Sequence, residues 1–403
     1  MKYKWYDVIH EWLKRNPYRF NRVELSGSMG DLGTLLPLVF ALVSINNLNP
    51  VVLFILVGLF YILTGLYYKL PISIQPLKLV AILAISMKLS NSVIAASGIL
   101  IGIILLFIVS TGLIYKLSRL FCKSTLRGVQ LGVGLLLIVK GFGLATSRGL
   151  FFDRTDLSIG AQNMVGIIGL SLAFLTLAII LLLRKKDNLP AALIAICMGI
   201  VFGLVLKAKY SLGLPSFSDF KTPLFNLPTQ KDFIDALVLL VIPQIPITLG
   251  NAGYAASDLA KKYYGEKAHH VTPARLSISM GLFNVLSGLC GSMPVCHGSG
   301  GIAAHYRFGA RTGGANIMLG AVFIMIALIF KDSVTFAIAL IPVPVLGVLL
   351  FFAGIEMLKL VFDLEGKKEY CIALSIAAIA LLTNNLTLAM AGGVLTKFIL
   401  NRI

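Results

Sequence analysis

Three stretches combine glycine, proline and polar side chains inside otherwise apolar sequence, and they hold the residue types that could bind an anion. They span 70–78, 242–252 and 293–301. Free amides at helix N-termini, hydroxyls, side-chain amides and a lysine can hold an oxyanion without any catalysis. The sequence contains no Walker A run, HExxH or haem motif, and no GxSxG elbow accompanies the glycine-rich run. These features indicate a protein that binds an anion rather than an enzyme. We expect no cofactor and no metal site.

Two of these stretches each open with proline and precede a short apolar segment. The short segments span 77–89 and 299–309. A helix of this length cannot cross the hydrocarbon core alone, so the extended stretch before it must complete the crossing, buried inside the protein. Pro76 suits the first turn of the first half-helix and Ser299 suits the N-cap of the second. We therefore expect two helix N-termini to face each other at the centre of the protein.

Side chains near these helix starts supply the predicted substrate contacts. The predicted residues are Thr34, Gln75, Pro76, Leu77, Lys78, Gln244, Thr248, Asn251, His297, Gly298, Ser299, Gly300 and Gly301. Gln244, Thr248 and Asn251 share one helical face, which either joins helices or lines a pore; the neighbouring half-helices favour lining. The glycine-rich run either approaches a ligand closely or forms a tight packing turn. Lys78 either adds positive charge to the site or extends towards water.

Two carboxylates lie within or beside apolar segments. Asp31 is either a charge that complements the dipole of the first membrane helix or an ion or proton site facing the pocket. Glu356 either carries a proton or forms a buried ion pair near the inner face. The sequence leaves both pairs of alternatives open.

The composition requires many membrane spans. The chain has 403 residues, of which 58% are hydrophobic and only 13% are charged, with a mean hydropathy of +0.91. Apolar segments are predicted at 27–46, 51–69, 77–89, 93–115, 125–144, 162–184, 188–208, 232–257, 273–289, 299–309, 313–331, 334–361, 369–383 and 386–402. The pattern predicts an all-α polytopic membrane protein and excludes a single-pass receptor. The five scattered cysteines are interpreted as small core residues.

Seven segments precede the Pro/Ser-rich stretch 213–230 and seven follow it, which predicts two halves of inverted orientation. Pro71 matches Pro294 and Gly132 matches Gly347 at similar offsets. The predicted organisation is an interfacial N-terminal segment at 1–26, a first repeat at 27–212, an external linker at 213–230 and a second repeat at 231–403.

The formal charge of +18 reflects Lys and Arg in short loops, where they set topology and contact anionic lipid headgroups; no nucleic-acid motif accompanies them. Twenty-five of these residues fall on the side of the N-terminus and nine on the other. We therefore expect both termini to be cytoplasmic in a plasma-membrane protein.

The motifs at 30–37, 243–252 and 294–311 resemble those of the molybdate transporter family within the sulfate permease superfamily. The resemblance covers most of the chain. It implies seven-plus-seven inverted repeats divided into a core and a gate domain, with the oxyanion held between the third and tenth segments. The superfamily usually has a C-terminal cytosolic regulatory domain. We expect it to be absent, since the chain ends just after the last apolar segment. The resemblance leaves open whether the protein forms a homodimer.

We therefore expect a secondary transporter that imports molybdate by alternating access, coupled to protons through Asp31, His297 or Glu356. Tungstate and sulfate are alternative substrates, because all three are tetrahedral dianions. A nucleobase carrier would favour a carboxylate in the eighth or tenth segment, and 236–257 and 299–309 contain none. An anion channel or a non-transporting sensor is the rival from a different class.

Overall fold

The computed structural model describes residues 18–114, 123–147, 149–151, 159–183, 191–210, 227–383 and 385–400. Most of the predicted N-terminal interfacial segment and most of the predicted linker at 213–230 lie outside these ranges.

The described part of the first half contains eight helices and one short strand. They are α1 (Arg22–Ser28), α2 (Leu32–Asn46), α3 (Pro50–Tyr68), β1 (Gln75–Pro76), α4 (Lys78–Met87), α5 (Asn91–Ser110), α6 (Lys123–Ala145), α7 (Ile159–Leu183) and α8 (Ala191–Tyr210). A 3-10 turn, Met29–Asp31, joins α1 to α2. The two parts of this first span, Arg22–Asp31 and Leu35–Asn46, meet at an angle of 51°.

The described part of the second half repeats this order. It contains α9 (Gln230–Ala236), α10 (Ile242–Ile247), α11 (Ala256–Tyr264), α12 (Pro273–Leu289), β2 (Val295–Cys296), α13 (Ser299–Arg307), α14 (Gly313–Ala339), α15 (Val343–Leu358), α16 (Lys367–Thr383) and α17 (Leu386–Leu400). Every predicted apolar segment overlaps a helix in this order. Among the described residues, seven helices are long and apolar enough to cross a membrane alone, or eight if the bent first span counts as one.

The eighth span is one irregular helix rather than a broken one. Wide π-helical turns, Leu237–Val241 and Thr248–Ala255, flank α10, which contains Pro243 and Pro246. Proline removes a hydrogen-bond donor and clashes with the preceding turn. The wider turns accommodate this loss, so the helix continues through α11 while its polar face remains intact.

One predicted boundary is wrong. The sequence predicts a break between the eleventh and twelfth segments at 332–333, but α14 continues to Ala339 and α15 begins at Val343, after its N-cap Pro342. A proline is well suited to the start of a helix, because the missing N–H group has no intrahelical partner there. The charged residues near 331 lie within α14 and do not end it.

Close glycine contacts reveal the inverted symmetry. In the pair α3–α14, a Cβ atom at Gly58 would lie 2.6 Å from the carbonyl oxygen of Gly320; in the pair α5–α12, one at Gly102 would lie 2.6 Å from that of Gly281. The inversion that relates the two halves superposes α3 on α12 and α5 on α14, so it exchanges these two helix pairs. Small residues allow such backbone approach between membrane helices. The packing confirms the predicted seven-plus-seven inverted repeat.

The central pair α6–α15 maps onto itself. A Cβ atom at Gly134 would lie 2.9 Å from the carbonyl oxygen of Gly354, and one at Gly347 would lie 2.7 Å from that of Gly141. This reciprocity makes Gly134 the equivalent of Gly347. The predicted match of Gly132 with Gly347 is therefore displaced by two residues, and Gly132 packs on α16 instead.

The helices form two groups. Helices α1–α5 pack with α9–α14, and α6–α8 pack with α15–α17. We call the first group the core domain and the second the gate domain. Within the core domain, β1 and β2 pair antiparallel, with Gln75 opposite Cys296 and Pro76 opposite Val295. This buried pairing fixes the starts of α4 and α13 beside each other.

Candidate functional site

A cavity of 320 Å³ lies between the core and gate domains, where the two half-helices begin. Polar side chains from both domains line it among apolar ones. The polar and charged lining residues are Lys78, Gln130, Gln244, Thr248, Asn251, Ser299 and Glu356. Of these, every residue except Gln130 is a predicted site or coupling residue. Gly300 and Cys296 also line the cavity, beside the start of α13.

The start of α4 is capped by another helix. Leu77 is the N-cap residue and makes no side-chain cap hydrogen bond. The Val80 amide instead donates to Oε1 of Gln244 at 3.3 Å, and Nε2 of Gln244 donates to Oγ1 of Thr248 at 2.9 Å. Pro76 lies in β1, before the helix, so its predicted position in the first turn is wrong.

The start of α13 is more open. Its N-cap is Gly298, with no side-chain cap hydrogen bond, so the predicted N-cap at Ser299 is displaced by one residue. Ser299 is the first helical residue, and its hydroxyl donates to Oδ1 of Asn251 at 2.6 Å. The first amides of a helix have no acceptor within that helix. Those of Ser299 and Gly300 belong to this first turn, at the cavity wall.

Lys78 places a positive charge between the two helix starts. It is half-buried and lines the cavity, and a Cβ atom at Gly300 would lie 3.9 Å from its Nζ atom. Among the described residues, no carboxylate forms an ion pair with Lys78. Two helix N-termini and one ammonium group thus give this part of the cavity a positive potential, which suits an anion.

Asp31 lies behind the cavity rather than in its wall. Its carboxylate accepts hydrogen bonds from Nε2 of Gln75 and, at 3.2 Å, from the Tyr61 hydroxyl. Nε2 of His305 lies 3.9 Å from Oδ2 of Asp31, and both side chains are fully buried. Asp31 occupies the N-cap position of α2 without a side-chain cap hydrogen bond. Its carboxylate therefore organises a buried polar cluster and does not cap the helix.

Gln75 belongs to this cluster as well. The side chain is 1% exposed and does not line the cavity. A Cβ atom at Gly298 would lie 2.4 Å from Oε1 of Gln75, and one at Gly301 would lie 2.7 Å from Oδ2 of Asp31. These two glycines thus allow α13 to pack on the cluster. The geometry gives Gln75, Gly298 and Gly301 a supporting place rather than the predicted direct contact with substrate.

His297 points away from the cavity. Its Nδ1 atom lies 3.0 Å from the Ser73 carbonyl oxygen, and its Nε2 atom lies 2.7 Å from Oγ of Ser279. Neighbouring residues of an extended chain face opposite sides, and Cys296 takes the cavity side. The structure therefore does not support the predicted substrate contact or proton-carrying role of His297. Thr34 is a predicted site residue whose side chain lies outside the described part of the chain.

Glu356 marks the mouth of the cavity. Its side chain is 64% exposed, and it pairs with Lys359 one helical turn further on. The pair is not buried, so the predicted alternative of a buried ion pair is wrong. Because an exposed residue of α15 also lines the cavity, the cavity reaches the protein surface at this end.

Gln130 is the lining residue that sequence reasoning missed. It lies on α6 of the gate domain and is 6% exposed. The signal was present, since Gln130 is a polar side chain within the predicted apolar segment 125–144. Polar residues inside membrane helices deserve a functional interpretation by default.

Comparison with known proteins identifies the family. A family model described as "Molybdate transporter of MFS superfamily" matches residues 23–137 and 236–357. The chain belongs to this molybdate transporter family. It is 31% identical to Molybdate transporter 2 of Arabidopsis thaliana, over 96% of this chain and 90% of that protein. It is 26% identical to Molybdate transporter 1 of Chlamydomonas reinhardtii, over 90% and 88% of the two chains.

Solved structures show the fold of this family member. The transmembrane domain of the cyanobacterial bicarbonate transporter BicA matches with a TM-score of 0.62 at 17% identity, over 92% of this chain and 97% of that chain. Murine Solute Carrier 26 family member A9, an anion transporter in the inward-facing state, matches with a TM-score of 0.67 at 15% identity, over 99% and 72% of the chains. These matches confirm the predicted fold with its core and gate domains.

Proposed function

We propose that this protein is a secondary transporter that binds molybdate between the starts of α4 and α13 and carries it by alternating access. The half-buried ammonium group of Lys78, which has no carboxylate partner among the described residues, carries this proposal. A positive charge that is partly removed from water is stabilised by a counter-charge, and a dianion would supply it.

The donors around the cavity suit a tetrahedral oxyanion. The amides of Ser299 and Gly300 and the ammonium group of Lys78 come from different directions, so they can meet different oxygens of one anion. Such donors discriminate little among dianions of similar size. Membership of the molybdate transporter family supports molybdate, and the names of the plant and algal relatives agree.

The position of the cavity between two packed groups of helices supports alternating access. The core domain holds both half-helices, and the gate domain supplies α6 and α15. Movement of one domain against the other would close the mouth at Glu356 and open the opposite side. With the predicted cytoplasmic termini, that mouth faces the cytoplasm, and the conformation described here is inward-facing.

Import of a dianion requires coupling. Moving two negative charges inward against about 100 mV, negative inside, costs about 4.6 kcal/mol. We retain Asp31 as the proton-binding candidate, because it is fully buried beside His305 and joined through Gln75 to β1. Glu356 is exposed at the cavity mouth, which suits a surface ion pair better than a coupling site.

Uptake assays test the coupling. We expect a proton ionophore to abolish molybdate accumulation by the native protein, and Asp31→Asn to permit exchange of molybdate without accumulation. Accumulation that survives both treatments would exclude proton coupling through Asp31, while leaving the anion site intact.

Calorimetric titration of the purified protein with molybdate, tungstate and sulfate tests the substrate. Ser299→Leu places a bulky side chain at the cavity wall and should abolish binding, whereas Ser375→Ala in α16 does not touch the cavity and serves as control. Molybdate binding that is lost only in Ser299→Leu supports the site. Equal affinity for sulfate would make the protein a general oxyanion carrier, and the absence of any oxyanion binding would refute the proposal.

Counterflow separates a transporter from a channel or a sensor. In proteoliposomes loaded with unlabelled molybdate, a carrier drives transient accumulation of labelled molybdate. A channel gives only equilibration, and a sensor gives no flux.

A further inference from the structure

The gate domain contains a chain of polar contacts that ends at the cavity. Asp363 follows α15, and Arg127 and Gln130 lie one turn apart on α6. Nε of Arg127 lies 2.9 Å and 3.1 Å from the two carboxylate oxygens of Asp363. Nη1 of Arg127 donates to Oε1 of Gln130 at 2.8 Å. Lys123 also donates to the carbonyl oxygen of Asp363, at 2.5 Å.

This arrangement fixes the orientation of the Gln130 amide. A guanidinium group carries only donors, so the amide atom that meets Arg127 must be the oxygen. The amino group of Gln130 therefore points away from Arg127, and the Gln130 side chain lines the cavity. The two carboxylate contacts of Arg127 hold the guanidinium in place. The gate domain therefore presents a hydrogen-bond donor to the cavity.

Gln130 faces the part of the core domain that holds the site. Helix α6 packs against both α4 and α10. A Cβ atom at Gly250 would lie 3.0 Å from Cδ1 of Leu126, one turn before Gln130 on α6. Gly250 directly precedes Asn251, which holds the Ser299 hydroxyl. Gln130 thus lines the cavity from the gate domain, and the two half-helix starts line it from the core domain.

We infer that Gln130 is a substrate ligand supplied by the gate domain, positioned by Arg127 and Asp363, and that it contacts the oxyanion only in the conformation described here. This inference rests on the proposed function. The amides of α13 and the ammonium group of Lys78 belong to the core domain and would move with the anion. Gln130 belongs to the other domain, so movement of the two domains separates it from the anion.

If Gln130 contacts the anion in just one conformation, that contact affects transport. A ligand shifts a conformational equilibrium only by its difference in affinity for the two states. Gln130 supplies such a difference, since it strengthens binding on the side where the cavity opens at Glu356. The affinities measured from the two faces of the membrane should therefore respond differently to its removal.

Labelled molybdate uptake into vesicles of both orientations measures the half-saturation concentration from each face. For Gln130→Leu, we expect the half-saturation concentration to rise about tenfold from the Glu356 face, because one hydrogen bond to a charged group is lost. From the opposite face it should change by less than about twofold. Thr176→Val is the control, because Thr176 is buried in the gate domain and its hydroxyl bonds to its own helix, 2.7 Å from the Leu172 carbonyl oxygen.

Gln130→Glu keeps the shape of the side chain and its pairing with Arg127, but removes the donor and adds a negative charge. We expect it to fold and to lose transport from the Glu356 face. Equal changes from both faces for Gln130→Leu, or native transport by Gln130→Glu, would overturn the inference. Absence of saturable molybdate transport in the native protein would instead refute the proposed function.

A double-mutant cycle tests the positioning role of Arg127. Arg127→Leu frees the Gln130 amide, so it should raise the half-saturation concentration from the Glu356 face, and it should have no further effect in a Gln130→Leu background. Additive effects would show that Arg127 acts independently of Gln130 and would overturn the positioning role.

Discussion

The two half-helices are related by the inverted repeat, yet their starts are built differently. At α4, the Gln244 side chain caps the Val80 amide, and the helix contributes the charge of Lys78. At α13, the N-cap is a glycine without a side-chain cap hydrogen bond, and Ser299 and Gly300 leave space beside the first-turn amides. One start therefore supplies charge and the other supplies open backbone donors.

This difference assigns separate tasks to the two repeats. A symmetric site with two lysines would bind a dianion tightly and release it slowly. Here one ammonium group and two helix N-termini, each equivalent to about half a positive charge, face the dianion without a second ammonium group. Under the proposed function, a site with a single ammonium group would permit release of the anion as well as its binding.

The largest expected effect is the loss of the charge at α4. We expect Lys78→Met to weaken molybdate binding by about a hundredfold, equivalent to about 3 kcal/mol, because a charged contact to the dianion is removed. Lys231→Met removes an equal charge from an exposed position and should leave the affinity unchanged. Native affinity in Lys78→Met would show that α4 does not supply the charge.

Filling the space beside the start of α13 should have the next largest effect on molybdate binding. A Cβ atom at Gly300 meets nothing nearer than Nζ of Lys78, at 3.9 Å, so we expect Gly300→Ala to retain binding. Gly300→Leu should fill the space needed by the anion and weaken binding by at least about tenfold, while the protein still folds. Titration calorimetry with a thermal unfolding control measures both. Equal behaviour of the two variants would place the anion elsewhere.

Gly301 separates packing from binding at the same helix start. A Cβ atom there would lie 2.4 Å from Cβ of Ser73. We expect Gly301→Ala to destabilise the protein by about 1–3 kcal/mol, since α13 must shift away from Ser73 and Asp31. Thermal unfolding in a fixed detergent measures this. A stable Gly301→Ala protein would contradict the close approach of α13 to the Asp31 cluster.

The smallest effect concerns the cap of α4. Gln244→Leu removes the acceptor for the Val80 amide, and we expect a loss of about 1 kcal/mol in stability with a change in molybdate affinity of a few fold at most. Unfolding and titration of the same preparation measure both quantities. An effect as large as that of Lys78→Met would mean that Gln244 contacts the anion directly.

The sequence predicted the architecture well, because the physical signals are local and strong. A short apolar segment after a proline-opened stretch has few solutions inside a membrane, and β1–α4 and β2–α13 follow the expected pattern. The caps were displaced by about one residue, since helix ends depend on backbone angles that residue types only bias. Alternation along the extended stretch predicts that Cys296 and His297 face opposite sides, but which of the two lines the cavity depends on the pairing of β1 with β2.

Other features could not be derived from the chain alone. His305 lies 274 positions after Asp31, and no local pattern indicates that the two meet. Gln130 is the single lining amide of the gate domain among the described residues, and its importance depends on which face of α6 meets the core domain. Such contacts follow from tertiary packing rather than from periodicity.

Crystallographic diffraction at the molybdenum absorption edge, on crystals grown with molybdate, tests the central claim most directly, since the anomalous signal locates the metal of the bound anion. We predict a single peak between Lys78 and the first turn of α13, with oxyanion oxygens within hydrogen-bonding distance of Nζ and of the Ser299 or Gly300 amide. A peak outside this cavity, with the space between the two half-helices free of molybdenum, would contradict the account.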